Sequence, residues 1–155
     1  MLAALLAAGA LIGCPLVAPA DGPLAARFAP QGRYAGHWGI DLTTADGTGV
    51  RAPAAGVVTF AGSVAGVRTV TVDHGGFRSS VSYLRAVLVA PGSSVQRGQL
   101  LGLAGRPHGR PGVHLSVRAG PEYVDPLPWI WCHAARRTGT LRLLPPPSPY
   151  AARRQ

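Results

Sequence analysis

Lysine and asparagine are absent from the 155 residues, and acidic residues are few: six Asp and Glu stand against 15 basic residues, all of them arginine. Without lysine there is no side chain on which a lysyl-attached prosthetic group could be carried. Together with the abundance of Ala, Gly and Pro, the arginine bias matches codon usage in a GC-rich genome, which weakens arginine content as a sign of function. The formal charge of +9 suits anionic surface polymers or plain solubility. It argues against nucleic acid, because the arginines are dispersed, only Arg136-Arg137 and Arg153-Arg154 are adjacent, and neither a recognition helix nor an RNA-binding aromatic motif is visible. Cysteine is scarce as well. Cys14 and Cys132 form no CxxC or Cys/His cluster, which excludes a structural zinc finger. Cys14 falls in an apparent leader, so no disulfide framework is expected.

That leader is residues 1–20, an uncharged apolar run ending in Ala18-Pro19-Ala20, an A-x-A processing pattern, and it reads as a secretory signal peptide. Its apolar run, which reaches Val17 and is interrupted at Cys14-Pro15, is too short and too rich in small residues for a membrane span of about 20 apolar residues. Leu11-Ile12-Gly13-Cys14 also resembles a lipobox, which would make Cys14 a lipidated membrane anchor; the alternative is an ordinary small apolar residue of the leader. Residues 21–34 are rich in Pro, Gly and Ala without periodicity and are expected to be a linker, with Phe28 and Tyr34 available to dock.

From residue 35 to 130 the pattern is β. Val67 to Val72 alternates β-branched and polar residues, Asp73-His74-Gly75-Gly76 is a hairpin turn, and Arg78 to Tyr83 is the returning strand. Turn signals recur every 8–12 residues, predicting an all-β, antiparallel sandwich or barrel-like domain. A short helix is expected within Pro126 to Arg137, and residues 131–155 are read as its end and a disordered tail.

The chemistry concentrates in His37-Trp38-Gly39-Ile40-Asp41 and, later, His114. On an extended segment residues four apart share a face, so His37 and Asp41 converge while Trp38 and Ile40 point toward the core. Imidazole and carboxylate are zinc ligands, and three protein ligands plus a water is the catalytic zinc arrangement. An H-x3-D pair alone is weak evidence of a metal.

The order of segments adds to it. HWGID at 37–41, GTGVRAPAAGVVTFAG at 47–62, DHGG at 73–76, VAPGSSVQRGQLLG at 89–102 and VHLSV at 113–117 occur in the order and spacing of the lysostaphin-type zinc metallopeptidases, which this chain resembles over about residues 35–130. YVDPLPWI at 123–130 is similar to the close of compact actinobacterial members. The resemblance implies a duplicated hybrid motif fold, one zinc ion on His37, Asp41 and His114, and peptidoglycan or wall peptide as the partner outside the cytoplasm. It implies a secreted zinc endopeptidase.

Two positions depart from that family. The first His of its HxH pair falls at Gly112, and the His of its YxHL strand at Tyr83. Residues able to substitute are His108, in the RPHGRPG loop, and the Tyr83 phenol; the alternatives are an exposed loop histidine and core packing. The second functional reading is therefore a degenerate relative that binds zinc or wall peptide and regulates another wall hydrolase. A biotinyl or lipoyl carrier fails for want of lysine. A sugar-transport phosphocarrier of the same fold is disfavoured by the leader and by Asp41. His74 is expected to be structural, His133 solvated, and Glu122, the one glutamate, no candidate base.

Overall fold

Short segments of alternating apolar and polar residues fold as antiparallel strands, joined by turns and loops, in a computed structural model that describes residues 13–33 and 35–132. The strands are β1 (Leu24–Ala26), β2 (Ala29–Gln31), β3 (Ala35–His37), β4 (Ile40–Thr43), β5 (Gly49–Arg51), β6 (Gly56–Val64) and β7 (Val67–Asp73). They continue as β8 (Arg78–Ser82), β9 (Leu84–Val87), β10 (Ser94–Val95), β11 (Leu100–Ala104), β12 (Gly112–Ala119) and β13 (Glu122–Val124), followed by the helix α1 (Leu127–Ile130). The large sheet runs β1-β4-β12-β8-β7-β6-β10 with β13 on β12; a second sheet is β5-β11-β9, and β2 pairs with β3. The expected all-β, antiparallel architecture is what the chain adopts.

The period of two decides which residues face the core. On β12, Val113, Leu115 and Val117 are fully buried; on β7, Val70 and Val72; on β4, Ile40 and Leu42. Val50, Leu101, Ala104 and Leu84 of the second sheet belong to the same core. The DHGG turn closes as expected: Gly75 takes φ +89°, its N–H donates to Asp73 Oδ1 at 2.8 Å, and His74 N–H donates to Phe77 O at 2.9 Å.

The chain before residue 35 corrects the sequence reading. Leu16 is 0% and Ala20 5% exposed, both within the core. Leu16 N–H donates to Trp129 O, Val17 N–H to Pro53 O, and Arg51 N–H to Pro19 O, at 2.8–3.0 Å. The expected linker carries β1, paired with β4, and β2, paired with β3. The packed unit therefore takes in the segment from Cys14 onward rather than from residue 35. Burying Leu16 alone is worth about 1.5–3 kcal/mol.

Cys14 and Cys132 form a disulfide across 118 residues, against the expectation of none. A sulfur in that bond is not available for lipidation, so the lipobox reading of Cys14 does not fit this structure. The error had one source: the two segments meet only in the folded state, and sequence spacing carries no sign of it. The helix is also shorter than expected, and Trp131 lies just beyond it, 48% exposed, while Trp129 packs its ring on Phe77 at 4.8 Å. Residues 1–12, Tyr34 and residues 133–155, including His133 and the tail, lie outside the described residues. No helix among the described residues is long and apolar enough to cross a membrane.

Candidate metal centre

With Ile40, Leu42, Val113 and Leu115 turned inward, Asp41 and His114 must point to the outer face of the large sheet. The β4–β12 register sets them directly opposite one another, and His114 Nδ1 lies 2.8 Å from Asp41 Oδ1. His37 reaches the same carboxylate oxygen with Nε2 at 3.2 Å. It does so from β3, across a bend at Trp38-Gly39, so the HWGID segment is two strands and not one continuous extended run. The bend also leaves Trp38 half-buried, against Phe28 and Tyr123, whereas Ile40 enters the core as expected.

Gly39 makes the close approach possible. A Cβ there would stand 2.3 Å from Leu115 O and 2.5 Å from His114 Nε2. His37 is oriented from behind: its Nδ1–H donates to Arg27 O at 2.7 Å. That bond leaves Nε2 to face the Asp41 carboxylate, an orientation that carbonyl-bonded histidines commonly take around metals. Burial opposes the charge on Asp41, yet the hydrogen bond and charge of His114, then those of His37, hold its carboxyl below the ordinary value of 3.8.

The donor set fits zinc. Ligand atoms bonded to one tetrahedral ion at about 2.0–2.2 Å stand about 3.3–3.6 Å from one another. The His37–Asp41 separation of 3.2 Å is already near that spacing, and the 2.8 Å from His114 Nδ1 to Asp41 Oδ1 is shorter than it. His108 crowds the same place: its Nε2 is 3.7 Å from Asp41 Oδ2, and the ligand atoms of His37, Asp41 and His108 all lie within 4.8 Å of one another. His108 sits on the turn Pro107–Gly109 with φ +49°, its side chain 57% exposed against 10% for Asp41. A loop histidine it is, but one turned toward the site. Tyr83, at φ +63° between β8 and β9, places its ring 5.4 Å from that of His108 and 6.4 Å from that of His114. All five residues singled out from the sequence thus come together at one end of the sheet.

Gly112, where the resemblance leads one to expect a histidine, is closed to any side chain: a Cβ would lie 2.4 Å from Leu42 O. His74 is structural. It bonds Ala55 O through Nδ1 and Ser79 Oγ through Nε2, both at 2.8 Å, and burial pushes its pKa below the ordinary 6.5. Glu122 is exposed on β13, away from the centre. Sequence reasoning missed Arg27, whose carbonyl fixes the His37 tautomer, because its segment was taken for a linker. It also passed over Gly39, although a glycine between two candidate ligands was the available signal.

The profile of peptidase family M23 matches residues 35–126, more than half of the chain. Over 117 residues the chain is 34% identical to murein hydrolase activator EnvC of Escherichia coli (strain K12), a match covering 72% of this chain and 28% of EnvC. It therefore spans under a third of that relative. A zinc-containing peptidase from Vibrio cholerae is structurally similar, with a TM-score of 0.59, 26% identity, and coverage of 70% of this chain and 37% of that one. The antimicrobial peptidase lysostaphin from Staphylococcus simulans shares the fold, with a TM-score of 0.65 at 22% identity, covering 81% of this chain and 56% of that one. With HWGID and His114 meeting on one sheet face and a family profile spanning the strands that carry them, the chain belongs to peptidase family M23.

Proposed function

We propose that this protein is a zinc-dependent peptidase-type domain acting on peptidoglycan peptides outside the cytoplasm. The observation that carries this reading is the convergence of two imidazole nitrogens, from His37 and His114, on one oxygen of the largely buried Asp41. His37, Asp41 and His114 would hold the ion. Bound there, zinc supplies Lewis-acid polarisation and a water acidic enough to react near neutral pH. The remaining work falls to the chain's own side chains. His108, exposed on its turn and facing Asp41, is the group available to take a proton and return it to the leaving amine. The Tyr83 phenol is the available donor to a carbonyl oxygen gaining charge. A location outside the cytoplasm is supported by the Cys14–Cys132 disulfide, since such bonds persist in oxidising compartments.

A second reading is favoured by Gly112 and by the likeness to EnvC: a non-hydrolytic relative that keeps the metal and activates another wall hydrolase. One pair of measurements separates them. Purified protein should carry one equivalent of zinc, lost in His37→Ala, and should release muropeptides from isolated sacculi in a His108-dependent manner. Zinc without any release from several wall types would leave the activator reading. Protein that takes up no zinc would sink both metal-based readings.

A further inference from the structure

The register of the large sheet lays out more than a metal centre. On the outer face, three rows of side chains run across β7, β8 and β12. The first is Thr69, Ser82 and His114; the second Thr71, Ser80 and Ser116; the third Asp73, Arg78 and Arg118. The hydroxyls bond one another, Thr69 to Ser82 at 2.9 Å and Thr71 to Ser80 at 2.8 Å, giving a flat polar floor. Trp38 and Tyr123 stand together on one flank, their rings 5.8 Å apart, and on the other Phe60 of β6 is the register partner of Thr71.

At the far end the two arginines differ. Arg78 Nε is paired with Asp73 Oδ2 at 2.9 Å. Arg118 stacks over the Tyr123 ring at 5.3 Å, and its Nε is buried without a hydrogen-bond partner. Among the described residues no carboxylate neutralises it, and it lines, with Arg78, Asp73 and Phe77, a cavity of about 310 Å³. Nε is enclosed, but the guanidinium forms no ion pair among the described residues, and the ring holds it beside the cavity, where its terminal nitrogens can take a planar acceptor from outside.

We propose that this face is a track for an extended acidic peptide, with the metal centre at one end and Arg118 as the carboxylate anchor at the other. His114 and Arg118 are four residues apart on one strand, about 14 Å at the rise of an antiparallel strand. An extended ligand covers that distance in four residues. The ligand therefore carries its carboxylate four positions from the amide presented to the metal. The proposal rests on the reading of His37, Asp41 and His114 as the metal centre for the direction of the track, but the anchor itself does not need the ion.

The test uses fluorescein-labelled hexapeptides of Ala and Gly with a single Glu, and the matching peptides with Gln, titrated by anisotropy into the full chain. Titrations are run with zinc and, separately, with EDTA. The Glu peptide should bind about tenfold tighter than the Gln peptide, the gain expected of one charge-assisted hydrogen bond. Arg118→Met should abolish that ratio and Arg118→Lys should restore part of it, each with an unchanged circular dichroism spectrum. Thr71→Val with Ser80→Val should weaken both peptides while leaving the ratio intact. Equal binding of Glu and Gln peptides, or an unchanged ratio in Arg118→Met, would overturn the anchor. Because the ratio is read in EDTA as well, a failed anchor and a failed metal centre give different results: the first alters peptide discrimination, the second alters zinc content alone.

Discussion

Gly39 lies directly against His114: a methyl group on its Cα would stand 2.5 Å from His114 Nε2. The approach of His114 to Asp41 depends on the absence of that atom. Gly39→Ala must push the His114 ring, or the β12 backbone at Leu115, away from Asp41. Zinc affinity should fall at least about tenfold, the usual cost of disturbing what orients a ligand. Calorimetric zinc titration beside circular dichroism checks this; wild-type affinity in the Gly39→Ala protein would show that the close approach does not matter.

Restoring a histidine at position 112 should not restore family-like chemistry. Its Cβ would meet Leu42 O at 2.4 Å, so β4 and β12 would have to separate beside Asp41. Gly112→His is expected to lower stability by about 1–3 kcal/mol, the cost of overpacking. Urea unfolding measures it. A stable variant with higher peptidase activity would contradict the geometry.

The Cys14–Cys132 bond ties the segment carrying Leu16 and Ala20 to the end of α1. Cys14→Ser with Cys132→Ser should cost about 2–5 kcal/mol. Deleting residues up to 20 should do more damage, since it also removes Leu16 from the core and the backbone hydrogen bonds made by Leu16, Val17 and Pro19. Thermal melts should place the double serine variant below the wild type and the truncated chain below both. A truncated chain as stable as the full one would mean that residues 14–20 are dispensable.

His74 sets part of the pH dependence of stability. Burial lowers its pKa from 6.5, so the unfolded chain binds the proton more readily than the folded one. Its neutral form contributes full stability above pH 6.5, and that contribution is lost as pH falls below 6.5 through the lowered native value. Melting temperature should drop over this range, and the drop should be shallower in His74→Gln. Equal slopes in the two proteins would place the effect elsewhere.

Alternation along VRTVTV and HLSV is a local property, and it decides which face of each strand is apolar. It puts His114 opposite the core, the four-residue spacing in HWGID pairs Asp41 with His37, and the order of the five segments points to the lysostaphin-type peptidases. His108 and Tyr83 stood out as neighbours of the centre because two family positions are conspicuously changed. The sequence was silent where contacts join distant parts of the chain. Cys14 meets Cys132 across 118 residues, and Arg27 O reaches His37 from a segment with no periodicity to betray it.

The β class of the chain from residue 35, the apolar side of strands such as β7 and β12, and the residue types able to hold a metal follow from the one-dimensional pattern, because they rest on a period of two and on side-chain chemistry. Folding in three dimensions settled the rest: the segment from Cys14 to Ala20 is a strap in the core, Gly112 has no room for a side chain, and Tyr123 of β13 lies against Arg118 of β12. Those depend on sheet register and on how closely backbones approach, which no local pattern specifies.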